Sequence, residues 1–131
     1  MKIALIAHDK KKNEIIELAK KYVDVLKAHE LYATGTTGRL IEEVTNLSVH
    51  KYLAGHLGGE QQIGASIEHN EVDLVIFLRE PLSPKMHEPD VNNIVRLCDI
   101  HNIPLATNLA TAELLIKSLD RGDLEWREMY K

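Results

Sequence analysis

Residues 73–78 read DLVIFL, an aspartate followed by five apolar residues in a row. A strand with one wet face alternates apolar and polar residues, so an unbroken run needs cover on both faces. KIALIA at 2–7 has the same character, and shorter runs stand at Leu31–Thr34, Val49–Leu53 and Leu105–Thr107. Between them, apolar residues return every three or four positions, the mark of a helix with one buried face. Ile15, Ala19, Tyr22 and Leu26 do so within 11–29, and Leu40, Ile41 and Val44 in a helix expected to begin near Thr37. Ile63 and Ile67 mark a helix over 60–69, Val91, Ile94, Val95 and Cys98 one over 91–101, and a last helix is expected over 111–119. Strands alternating with helices predict an α/β fold: a single doubly wound three-layer domain spanning 1–131, its sheet mainly parallel and about five-stranded. Residues 79–90, REPLSPKMHEPD, hold three prolines and read as a loop. The charged tail, 120–131, carries Trp126 and Tyr130 and is expected to stay off the core, where those aromatics and Arg127 would meet a neighbouring subunit.

Composition narrows the function classes. Sixteen basic against 20 acidic residues give a formal charge of −4, which lacks the concentrated basic face of a nucleic-acid binder. Cys98 is the one cysteine, so no intrachain disulfide can form, and its apolar neighbours predict a buried, inert thiol. No apolar run approaches the roughly 18 residues of a membrane span. The start, MKIALIAHDK, lacks a long apolar stretch with a small-residue cleavage site. A cytoplasmic setting without a membrane partner is the expectation.

In doubly wound sheets, ligands sit beyond the carboxyl ends of the strands. The unusual polar residues fall there: His8 and Asp9 after the first strand, the cluster in YATGTTGRL (32–40) after the second, Gly55–Glu60 after the third, His87 and Asp90 after the fourth, and Asn108 after the fifth. Thr34, Gly35, Thr36, Thr37 and Gly38 suit a phosphate cradle, because N–H groups at a helix start, the helix dipole and hydroxyl donors all favour an anion. Threonine and glycine also suit an ordinary cap and tight turn. Lys12 supplies a positive charge at the same edge, or is one solvated lysine in the run 10–12. Of the seven histidines, His8, His56 and His87 lie on post-strand loops, where a histidine polarises a carbonyl, shuttles a proton or simply fills a structural place. Asp9, Glu60, Glu80 and Asp90 share that edge; Glu60 opens a helix, as dipole partner or as general base. His8-Asp9 with His87-x-x-Asp90 makes no convincing ligand set, so no metal is expected.

LIAHD with Lys12, LYATGTTG, GGEQQIGA, HEPDV and IPLATNLATAE together resemble the methylglyoxal synthases, in order and spacing, over nearly the whole chain. The resemblance implies a doubly wound α/β domain, a homohexamer, no cofactor or metal, and conversion of dihydroxyacetone phosphate to methylglyoxal and inorganic phosphate, which is product and inhibitor. It implies that Lys12, Thr34, Gly35, Thr36 and Thr37 bind phosphate and that His8 and the Gly55 backbone contact substrate. It makes Glu60 the catalytic base, places His87 to polarise the substrate oxygens, and sets Asp90 beside it. The family usually has aspartate at the positions of Glu60 and Glu80, and Ser-Gly-Pro where this chain has Ala54-Gly55-His56; Ala54 removes a hydroxyl donor at the substrate position. The implied activity is a phosphate lyase. The alternatives are a non-catalytic or weakly active ligand-sensing domain of the same fold, and a sugar-phosphate isomerase that shares the enediolate.

Overall fold

The computed structural model describes residues 1–52, 59–82 and 91–130, with the side chains of Glu60 and Tyr130 outside that description. In chain order the elements are β1 (Lys2–Ala7), a 3-10 turn (Asp9–Lys11), α1 (Lys12–Lys21), α2 (Val23–Leu26), β2 (Glu30–Thr34), α3 (Gly35–Thr45) and β3 (Val49–Tyr52). They continue with α4 (Gly59–Glu68), β4 (Leu74–Leu78), α5 (Val91–His101), β5 (Leu105–Ala106), α6 (Leu109–Asp120) and a closing 3-10 helix (Glu125–Tyr130). The five strands form one sheet in the order β3-β2-β1-β4-β5. Each strand pairing is parallel, as the unbroken apolar runs required.

Successive strand residues point to opposite faces, and this splits the core into two layers. Ile3, Leu5, Leu74 and Ile76 pack with Ile15, Leu18, Ile41 and Ile116 from α1, α3 and α6. Ala4, Ile6, Val75 and Phe77 pack with Ile63, Ile67, Ile94 and Cys98 from α4 and α5. Buried Cys98 sits in the second layer, and burial pushes its thiol up to about 12. Among the described residues no helix is long and apolar enough to cross a membrane.

The strand order reverses between β1 and β4, because the chain builds outward from β1 on one side and from β4 on the other. That switch point is where a doubly wound sheet opens a crevice. Ala7 lies opposite Leu78, so the two strands end level and deliver His8 and the segment from Arg79 to the same place.

Three expectations need correction. The helix expected over 11–29 is two: Tyr22 leaves helical geometry at φ −113, ψ 26, and its hydroxyl donates to Glu113 of α6 at 3.0 Å. The second helix begins at Gly35 rather than near Thr37, so the Thr/Gly cluster is a first helical turn and not a loop before one. The charged tail does join the core. Leu124 is buried, and Arg127 is 1% exposed against an Asp73 that is 0% exposed. Arg127 Nε donates to Asp73 Oδ1 at 3.3 Å, Nη1 to the Asn102 carbonyl at 3.1 Å, and Nη2 to Asn70 Oδ1 and the Val72 carbonyl at 2.9 and 3.1 Å. With its guanidinium so engaged, Arg127 cannot serve a neighbouring subunit's site. Asp73 also accepts from the Lys2 backbone at 2.8 Å, which explains the aspartate that opens DLVIFL.

A buried ion pair is costly to form but costlier to break, because one partner is left as an uncompensated charge. Arg127→Ala is expected to lower unfolding free energy by about 3–5 kcal/mol, and Arg127→Lys to fail as a rescue, since an ammonium cannot reproduce the fork. Urea denaturation checks this, and a loss too small to measure would contradict the clamp.

Candidate active site

His8 follows β1 directly. Its main-chain N–H donates to the Leu78 carbonyl at 3.0 Å, closing the ends of β1 and β4 together. The ring is buried, 4% exposed. Its Nδ1 accepts from the Glu80 N–H at 2.8 Å, and the ring meets Phe77 edge to face at 5.3 Å. Glu80 turns its carboxylate back on its own segment, where Oε1 accepts from the Leu82 N–H at 3.0 Å.

Lys12 is the first residue of α1. A cation at a helix N-terminus opposes the dipole, so helix stability does not explain it. Its ammonium donates to the Ala7 carbonyl at 3.0 Å and to Thr37 Oγ1 at 3.2 Å, with Asp9 Oδ1 at 3.8 Å. One side chain thus links the end of β1 to the first turn of α3, and the solvated-lysine reading fails. Thr37 is fully buried at 0% exposure, and an ammonium can only donate, so the Thr37 hydroxyl accepts and keeps its own hydrogen to give.

Thr34 ends β2 in the N-cap position of α3, with φ −65 and ψ 154, yet its side chain makes no cap hydrogen bond. Asn108 holds the same position for α6, and its Oδ1 accepts from the Thr111 N–H at 3.0 Å. Two helices therefore start at one sheet edge, and one is capped by its own sequence while the other presents its first N–H groups toward the edge where Lys12 lies. Asn108, expected among the ligand-side residues, serves as a cap. Gly38 is needed for packing. A Cβ there would stand 2.6 Å from Lys51 Cγ and 3.3 Å from Val49 Cγ1, so glycine lets α3 lie close on β3.

The structure brings His8, Lys12, Thr34, Gly35, Thr36 and Thr37 to one edge. Glu60 is the second residue of α4. Ala54, Gly55, His56, His87 and Asp90 lie outside the described residues. Sequence reasoning missed the Glu80 N–H and the Ala7 carbonyl, because main-chain groups carry no residue signature. Among the described residues no three His, Cys, Asp or Glu side chains cluster to hold a metal ion.

Fold and edge define a doubly wound α/β protein whose chemistry-bearing residues gather beyond the strand ends near its switch point. Residues 14–107 match the family described as MGS-like domain. The chain is 66% identical over 129 residues to the methylglyoxal synthase of Caldicellulosiruptor saccharolyticus, covering 98% of this chain and 92% of that protein. It is 56% identical over 131 residues to the Bacillus subtilis methylglyoxal synthase, covering 100% of this chain and 96% of the other. The crystal structure of methylglyoxal synthase from Elizabethkingia anophelis NUHP1 superposes with a TM-score of 0.85 at 42% identity, over 88% of this chain and 76% of that one. The chain belongs to the methylglyoxal synthase family.

The two helix starts make a paired test. Asn108→Ala removes a cap and is expected to cost about 1 kcal/mol. Thr34→Val keeps the volume and removes a hydroxyl that caps nothing, so it is expected to cost clearly less. Equal losses in urea midpoints would show that Thr34 is an ordinary cap.

Proposed function

We propose that this chain converts dihydroxyacetone phosphate to methylglyoxal and inorganic phosphate through an enediolate. The observation that carries the proposal is Lys12, held between the Ala7 carbonyl and Thr37 Oγ1 at the uncapped start of α3. A half-buried ammonium arm, hydroxyl donors and a helix start converge where a phosphate dianion needs them. Relatives matched from end to end and named as synthases support an enzyme over a ligand-sensing domain.

In this scheme Glu60 removes a proton from the hydroxymethyl carbon, alpha to the ketone. The electron pair moves toward the ketone oxygen, and His87, with Asp90 beside it, stabilises the charge that develops there. A proton passes from the hydroxymethyl oxygen to the former ketone oxygen. The pair on the hydroxymethyl oxygen then forms the aldehyde carbonyl, the enediolate double bond shifts to the phosphate-bearing carbon, and the carbon–oxygen bond to phosphate breaks, phosphate leaving with the bonding electrons. The enol left behind gives up its hydroxyl proton, takes one up at its terminal carbon and becomes methylglyoxal. Lys12, Thr34, Gly35, Thr36 and Thr37 hold the phosphate as substrate and stabilise it as leaving group, which also makes free phosphate a competitor. The Gly55 backbone contacts substrate beside Ala54. Side chains and main-chain N–H groups carry every step. Homohexameric assembly belongs to the same proposal and rests mainly on the family resemblance, with Trp126 of the tail still exposed although Arg127 is buried; a cytoplasmic setting is proposed with it.

The parent chain is expected to release methylglyoxal and phosphate in equal amounts from dihydroxyacetone phosphate, without glyceraldehyde 3-phosphate. Glu60→Gln is expected to lower kcat/KM by about 10²–10⁴-fold, the usual cost of losing a general base. Glu60→Asp is expected to exceed the parent, since one methylene displaces the carboxylate by about 1 Å and such a shift can cost on the order of 10²-fold. Full activity in Glu60→Gln would remove Glu60 from the mechanism.

A further inference from the structure

We infer that the ends of β1 and β4 lock His8 in its Nε2–H tautomer, so that it serves the substrate as a hydrogen-bond donor and is barred from acting as the base. This rests on the phosphate-lyase reading for the identity of the substrate, but not for the state of the ring. A main-chain N–H has a hydrogen and no lone pair. The Glu80 N–H lies 2.8 Å from His8 Nδ1, so Nδ1 must offer its lone pair. A neutral imidazole carries one ring N–H, and it is then on Nε2. Placing a hydrogen on Nδ1 as well would set two hydrogens head to head inside a 2.8 Å contact.

Rotation does not offer an escape. Turning the ring over would put a carbon where Nδ1 stands and leave the Glu80 N–H without its acceptor, and an unsatisfied buried donor costs about 1–3 kcal/mol. The ring is 4% exposed and held edge-on by Phe77. Its partner is equally fixed. The Arg79 N–H donates to the Thr107 carbonyl at 3.4 Å, the His8 N–H to the Leu78 carbonyl at 3.0 Å, and the Glu80 carboxylate accepts from the Leu82 N–H at 3.0 Å. Glu80 is thus a positioning residue that acts through its main chain, while its carboxylate shapes the turn that aims the N–H.

The consequence is chemical. A base at the substrate carbon needs a lone pair to receive the proton, and the only lone pair on this neutral ring faces Glu80. Nε2–H can give a hydrogen bond to a substrate oxygen as negative charge gathers there, which is the donor role that preorganised sites use. Proton abstraction is left to the carboxylate.

The test begins with the state of the ring. In the chain labelled with 15N-histidine, long-range 1H–15N spectra at alkaline pH are expected to show His8 Nδ1 as an unprotonated nitrogen and Nε2 as a protonated one, with His8→Gln identifying the signals by their loss. A protonated Nδ1, or an averaged mixture, would overturn the lock. Because this spectrum needs no substrate, it stands or falls apart from the phosphate-lyase reading. The donor role is read from a pair of amides. A glutamine amide nitrogen reaches the place of Nε2, and an asparagine amide reaches that of Nδ1. With dihydroxyacetone phosphate, His8→Gln is expected to stay within about tenfold of the parent kcat/KM, whereas His8→Asn falls by about 10²–10³-fold, as for a lost oxyanion donor. The reverse ranking would overturn the donor assignment.

Discussion

Ala7 stands opposite Leu78 in the pairing of β1 with β4, and Ile3 opposite Leu74. The geometry of the site hangs on that register. A slip of one residue would send each inward side chain to the opposite face, exchanging the two core layers and turning His8 away from Glu80. The register is held at both ends. At the amino end, Lys2 and Asp73 exchange hydrogen bonds through the Asp73 carboxylate and both main chains, and Arg127 closes over Asp73. At the carboxyl end, the His8 N–H donates to the Leu78 carbonyl and ties the switch point. The ion pair far from the chemistry and the histidine beside it therefore serve one alignment.

That alignment places opposite demands on the two ends. The amino end is satisfied within the protein: Arg127 finds four acceptors and Asp73 is sealed from water. The carboxyl end holds a helix start that its own N-cap residue does not cap, with a lysine where the helix dipole disfavours one. Hydroxyl and main-chain donors at a helix start and a nearby ammonium are the groups that suit an anion. The buried ion pair stands at one edge of the sheet, and the proposed phosphate site at the other.

Much of this was legible in the sequence, and for physical reasons. DLVIFL and KIALIA announce a sheet covered on both sides because burial on two faces leaves no room for alternation. The candidate edge was visible because chemistry-bearing residues collected after strands. The start of α3 was misjudged by two residues, since threonine and glycine suit a turn as well as a first helical turn, and only the extended Thr34 backbone decides. The tail was misread because its charge was counted without its partner. Arg127 looks like a surface residue until Asp73, 54 positions away in sequence, is brought beneath it. The Glu80 N–H was beyond reach, as every residue but proline has one.

The central claim is that Lys12 and the first turn of α3 are the phosphate site. Calorimetric titration of inorganic phosphate into the parent chain and into Lys12→Ala/Thr36→Ala tests it most directly. One lost charge-assisted hydrogen bond is worth about 1.5–3 kcal/mol, so the double variant should bind phosphate at least about tenfold more weakly while melting as a folded protein. Unchanged phosphate affinity in a folded double variant would contradict the account.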